Sequence, residues 1–222
     1  MIAFVFDLDG TLLDLPVDIE PVRERAAAPL RARGFTGELR PILATIDRAT
    51  AELATDEADR RALIGAARAE IDAAEIDAAH AATARPGAAR ILAAVRATGA
   101  GLGIVTNNGR ACIAPALARA GLAEATRGAP IITRDDVAAP KPDPAGLIQM
   151  AGLLLPTGGD LVFIGDGESD IRAGAAAQPM LAGVQLLTIA IAGRPAWSAG
   201  RIAADLSELA TEIEEGTWTT HG

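Results

Sequence analysis

The chain has 222 residues, 50% of them hydrophobic, 22% charged and 3% aromatic, with a formal net charge of −9. A chain this long and this apolar buries a core unaided, which excludes disorder, and with Cys112 as the one cysteine a disulfide scaffold is excluded too. The acidic balance argues against nucleic acid as a partner, and no apolar stretch reaches the ~18 residues of a spanning helix, so a cytoplasmic protein with no membrane partner is expected.

The first predicted strand, Ile2–Leu8, runs into Asp7-Leu8-Asp9-Gly10-Thr11. Residues i and i+2 of an extended strand share a face, so Asp7 and Asp9 are expected side by side at the carboxyl edge of a sheet, where open α/β sheets bind ligands. Asp-Gly is equally a common turn pair. From 15 to 85 no strand is predicted. The segment is rich in Ala, Arg, Glu and Asp, with Ile42, Leu43 and Ile46 at helical spacing, while Pro16, Pro21, Pro29 and Pro41 make its first half irregular. It reads as a helical insert, leaving 1–14 and 86–222 as the core. Arg23, Arg25, Arg31 and Arg33 read as a solvated face or, alternatively, as a cationic face toward an anionic substrate.

A helix over Ala88–Thr98 follows Pro86-Gly87 and stops at Gly99. The strand Leu102–Thr106 leads into Thr106-Asn107-Asn108-Gly109, whose hydroxyl, amides and free N–H groups suit phosphate oxygens and equally suit a helix cap. A helix over Ala111–Ala120 and a strand at Ile131–Thr133 come next, with Asp135 and Asp136 read as turn or capping groups. Among twenty basic residues Lys141 is the only lysine, set between Pro140 and Pro142. An ammonium is a compact point charge that the planar arginine fork does not replace in a tight site. The next helix starts at the Asp143 cap and Pro144 and reaches about Leu155. The strand Leu161–Ile164 ends in Gly165-Asp166-Gly167-Glu168-Ser169-Asp170, where Asp170 also suits the first turn of a helix running to Ala177. A last strand is predicted at Leu186–Ala192, and Gly216–Gly222 is expected to fray. Strands alternating with helices imply a doubly wound α/β fold, its mostly parallel sheet covered on both faces. Trp197, Trp218, His80 and His221 fall outside every cluster, and Cys112 reads as packing.

Asp7 lies at the end of a predicted strand, and Asp9, Asp166 and Asp170 follow predicted strands. Carboxylates converging on one crevice repel one another by several kcal/mol at low dielectric and call for a cation. All-oxygen donors without histidine point to Mg²⁺ rather than Zn²⁺.

The order Asp-x-Asp-x-Thr (Asp7–Thr11), Thr106-Asn107, Lys141-Pro142 and Gly165–Asp170, each after a strand, resembles the haloacid dehalogenase superfamily. Within it the sequence resembles the phosphoglycolate-phosphatase-like branch, in which a helical cap is inserted between the first and second motifs. The resemblance implies a Rossmann-like core with a cap at 15–85, and a Mg²⁺-dependent phosphatase acting on a small phosphorylated metabolite. Asp7 would be the nucleophile, forming an aspartyl phosphate, and Asp9 the acid and then the base. Mg²⁺ would be held by Asp7, the Asp9 carbonyl and Asp166, with Asp170 in support, while Thr11, Thr106, Asn107 and Lys141 would bind the phosphoryl group. Dehalogenating relatives lack an acid at the position of Asp9, because halide leaves without a proton. Two alternatives stand beside this reading: a phosphosugar mutase using the same intermediate, and an idle module that binds a phosphorylated ligand. Oligomeric state is not legible.

Overall fold

The computed structural model describes residues 1–191 and 200–218; the sequence readings at Trp197 and His221 lie outside them. Strand β1 (Ile2–Phe6) opens the chain, and β2 (Leu13–Asp14) follows a tight loop. Helices α1 (Ile19–Arg31), α2 (Ile42–Leu53) and α3 (Glu57–Ala79) form the insert, which closes with β3 (Thr83–Ala84). Then come α4 (Ala88–Ala97), β4 (Gly101–Val105), α5 (Arg110–Arg119), β5 (Ile131–Ile132), α6 (Ala145–Leu154), β6 (Gly159–Gly165), α7 (Glu168–Ala177), β7 (Val184–Ile191), β8 (Arg201–Ala203) and α8 (Leu206–Glu215).

The six-stranded sheet has the order β5-β4-β1-β6-β7-β8, and every pair in it is parallel. Side chains alternate across it as a period of two demands. Phe4, Phe6, Ile104, Val162 and Ile164 pack toward α4, α5 and α8. Ala3, Val5, Val105, Leu161 and Phe163 pack toward α6 and α7. Both faces are covered, which is why the strands read as unbroken apolar runs. The doubly wound α/β expectation holds.

β1 lies between β4 and β6, with Phe6 level with both Ile104 and Ile164. Asp7, Thr106 and Asp166 each lie one or two residues beyond those partners. Strand order therefore brings three segments that are remote in sequence to one edge.

The insert has a core of its own, built from Val22, Leu30, Leu39, Ile46, Ala67 and Ile71. Asp56 caps α3 by accepting from the Asp59 N–H, and Glu57 and Asp59 lie favourably at its positive end. The expectation that 15–85 holds no strand is corrected at one point: Thr83–Ala84 pairs antiparallel with Leu13–Asp14. Two-residue strands are too short to leave a periodic signal. The fraying expected from Gly216 onward is corrected as far as Trp218, whose ring packs 5.4 Å from that of Phe4. The arginines of the insert are engaged elsewhere: Arg23 with Glu20, Arg25 with Glu70, Arg31 with Glu24 and Arg33 with Asp59. The solvated-face reading is the one that fits them.

Candidate active site

The centre of the site is a buried ion cluster. Lys141 is 6% exposed, and its ammonium donates to Asp7 Oδ1 at 2.6 Å, to Asp170 Oδ1 at 2.6 Å and to the Val105 carbonyl at 3.0 Å. Those three bonds use all three protons of the ammonium. Asp170 also accepts from the Gly167 N–H at 2.9 Å, so it caps α7 and pairs with Lys141 at once. Burial pushes the Asp7 carboxyl above the usual carboxylate range, with Lys141 pulling the other way and Asp170 adding to the rise. Burial alone would lower the Lys141 ammonium, but Asp170 and Asp7 more than offset it and leave its pKa raised.

Asp166 stands beside this pair, and its carboxyl is raised by burial and by the charge of Asp170. One oxygen from each of Asp7, Asp166 and Asp170 falls within 4.8 Å of the others. Three carboxylates facing one ammonium leave a net charge of −2, carried entirely by oxygen donors. That is the chemistry of a hard divalent cation site, and Mg²⁺ fits it. Gly10 has φ +84°, and a Cβ there would collide with the Asp166 carboxylate. A side chain at residue 10 would be strained and would also displace a candidate ligand.

Asp9 departs from the strand geometry expected of it. β1 ends at Phe6, and the chain turns so that the Leu12 and Leu13 N–H groups donate to the Leu8 carbonyl. Asp9 therefore opens to the cavity instead of flanking Asp7 on an extended strand, and its Oδ1 accepts from the Leu15 N–H at 2.8 Å. Partial burial pushes its carboxyl up to about 6. Its side chain is not among the clustered carboxylates. Thr11 is buried and donates to Asp166 Oδ1 at 3.1 Å, so its hydroxyl positions that carboxylate.

Thr106 and Asn107 both line the cavity. The Thr106 hydroxyl donates to Asn108 Oδ1 at 2.7 Å. The Asn107 amide is hooked to the Lys141 backbone, donating to its carbonyl and accepting from its N–H, both at 2.8 Å. Asn107 therefore fixes the segment that delivers the ammonium and keeps one amide proton in reserve.

The sequence reading missed Glu75 and Arg134. Arg134, 1% exposed, donates to both Glu75 oxygens at 2.8 Å, to Asp72, and to the Asn107 carbonyl at 2.8 Å. Glu75 accepts in addition from Asn108 Nδ2 at 3.1 Å and from the Gly109 N–H at 2.9 Å. A glutamate from the insert thus holds the loop that follows β4. The signal was present: Leu63, Ala67, Ile71, Glu75 and Ala79 recur every four residues, and Glu75 is the one charge in that buried stripe. Cys112 lies in the core, its thiol pushed up to about 12 by burial and the Glu75 charge, as befits packing rather than nucleophilic attack. Asp136 and Asp135 accept from the Thr133 and Arg110 N–H groups, the capping roles expected of them.

Asp7, Asp9, Lys141, Thr106, Asn107 and Asn108 floor a cavity of about 440 Å³ beneath the insert. The family profile of haloacid dehalogenase-like hydrolases matches residues 1–178. The chain belongs to that family. As a family member it is a hydrolase, similar at 32% identity to a plasmid-borne phosphoglycolate phosphatase of Cupriavidus necator over 185 residues, 79% of this chain and 77% of that one. Among solved structures, a hydrolase from Pseudomonas syringae matches 97% of this chain and 99% of its own with TM-score 0.67 at 22% identity. CbbY of Rhodobacter sphaeroides, solved in complex with phosphate, matches 93% of this chain and 95% of its own with TM-score 0.63 at 21% identity. At these identities the two structures speak to the fold. Among the described residues no helix is long and apolar enough to cross a membrane.

Proposed function

We propose that the chain is a Mg²⁺-dependent phosphatase of a small phosphorylated metabolite, acting in the cytoplasm through an aspartyl phosphate on Asp7. Residues 1–14 and 86–222 serve as the catalytic core and 15–85 as its cap. The observation that carries this reading is the bridge from Lys141 to Asp7 and Asp170, 2.6 Å on each side, with Asp166 beside it.

Lys141 holds Asp7 Oδ1, which leaves Oδ2 as the attacking oxygen. Oδ2 forms a bond to phosphorus as the ester P–O bond breaks, and the protonated Asp9 carboxyl gives its proton to the departing oxygen. Asp9, now a carboxylate, takes a proton from water. That water attacks the same phosphorus, the bond from phosphorus to Asp7 breaks, and inorganic phosphate leaves with Asp7 restored. A carboxyl raised to about 6 suits a group that must donate and then accept near neutral pH. Asp7, the Asp9 carbonyl and Asp166 would hold Mg²⁺, with Asp170 in support and Thr11 orienting Asp166. Bound there, the ion would offset the carboxylate charge and that of the phosphoryl oxygens. Asn107, Thr106 and Lys141 would steady the phosphoryl group, whose charge spreads over its equatorial oxygens and is stabilised chiefly by positioned donors.

The test is hydrolysis of p-nitrophenyl phosphate. Turnover is expected with Mg²⁺, background rates with EDTA, and recovery when Mg²⁺ is restored. Hydrolysis unaffected by EDTA, or none with the metal present, overturns the reading.

A further inference from the structure

The cavity is polar on the floor and apolar on the roof. Its roof is formed by Ile19, Pro41, Ile42, Leu43, Ala44 and Ile71 of the insert. Ile19 keeps 37% of its surface exposed, and Ile42 and Leu43 are only partly buried, so large apolar side chains stand open above the carboxylates. In a folded protein such an open apolar surface next to a reactive group marks a place for an apolar ligand.

Most cations that could meet a charged leaving group are otherwise engaged. Arg23, Arg25, Arg31 and Arg33 are paired with acids of the insert and do not line the cavity. Arg134 lines it but is bound by Glu75, Asp72 and the Asn107 carbonyl. Arg172 reaches the cavity from α7 with Glu168 3.7 Å away, and both side chains are more than half exposed, so this opposed pair is screened by water. Glu75, the one acid the insert contributes to the lining, is matched by Arg134. A leaving group bearing a carboxylate would lose hydration against the roof, face Asp9 below, and meet in the lining only the solvated Arg172 as a cation without a hydrogen-bonded acid, with Glu168 beside it, while an ammonium would lose hydration against the same roof.

We infer that this site takes phosphomonoesters whose leaving group is small, uncharged and aliphatic, and that it disfavours those carrying a carboxylate. The inference rests on the phosphatase reading and adds the substrate class. The specificity-determining residues are those of the roof, with Ile42 and Leu43 foremost.

The experiment compares kcat/KM, with Mg²⁺, for propyl phosphate, 2-phosphoglycolate and phosphoethanolamine, which differ mainly in leaving-group charge. Propyl phosphate is expected to lead each of the others by at least about tenfold, the scale on which a pocket separates small groups. Ile42→Arg is expected to shift the ratio toward 2-phosphoglycolate by at least about tenfold. Leu43→Arg, a second partly exposed roof position, serves if the first variant folds poorly. Equal or better use of 2-phosphoglycolate or phosphoethanolamine by the natural chain overturns the inference and leaves the phosphatase reading standing. Failure to hydrolyse any of the three esters or p-nitrophenyl phosphate overturns both.

Discussion

Asp7→Asn is expected to remove turnover of p-nitrophenyl phosphate while leaving the fold intact. The amide has the shape of the carboxylate but no nucleophilic oxygen, and loss of a nucleophile costs on the order of 10⁴-fold or more in kcat. Stability is expected to hold, because Asp7 is a buried group whose carboxyl burial already pushes upward, and the amide removes that penalty. Lys141 keeps Asp170 and the Val105 carbonyl as partners, so no buried ammonium is stranded. The checks are steady-state rates and a thermal melt of the same preparation. A melting temperature at or above that of the parent, with activity gone, is the expected pair of results. A variant retaining more than a few per cent of the parental kcat would mean that another group attacks phosphorus.

Glu75→Ala carries the largest expected loss of stability. It takes the doubly bonded acid from a guanidinium that is 1% exposed and already has an unpartnered buried Nε, leaving it the partly exposed Asp72 and the Asn107 carbonyl. It also frees the Asn108 amide and the Gly109 N–H. Breaking a buried pair on one side costs about 3–5 kcal/mol. For a chain of this length that lowers Tm by on the order of 10 °C. Glu75→Leu combined with Arg134→Met removes both charges, and much of the stability is expected to return, since an apolar pair of similar volume does as well as a buried ion pair. Activity is not expected to return with it, because the loop bearing Thr106 and Asn107 loses its anchor. Urea unfolding of the single and double variants measures both parts. A single variant within about 1 kcal/mol of the parent would show that the Glu75–Arg134 contact contributes little.

The candidate site was legible because its residues sit where strand periodicity stops. Each of Asp7, Thr106 and Asp166 follows an apolar run, and the parallel order of the sheet converts that shared position into a shared edge. Lys141 stood out by composition, and its bonds to Asp7 and Asp170 give a reason for an ammonium there. Asp9 lines the cavity, but with a local geometry other than the one expected, since a rule for extended chain was applied past the last residue of β1. Thr11 was read as a phosphate ligand from the family resemblance, and Asn107 from that resemblance and from its amide after a strand. Their observed partners, Asp166 and the Lys141 backbone, come from segments 155 and 34 residues away, which residue type does not encode. Glu75 and Arg134 went unread for the same reason. A glutamate in an alanine-rich helix looks solvated until its face is known to be buried, and Arg134 was one arginine among many. Strands β2, β3 and β8 are two or three residues long and pair only because longer neighbours place them.

Chemical trapping of the covalent intermediate addresses the mechanism most directly. Borohydride reduces an acyl phosphate to an alcohol, so treating the enzyme during turnover with Mg²⁺, followed by digestion and mass spectrometry, marks the esterified carboxyl. The expected result is conversion of residue 7 to homoserine, dependent on both substrate and metal. Conversion at Asp9, Asp166 or Asp170 with Asp7 unmodified would contradict it.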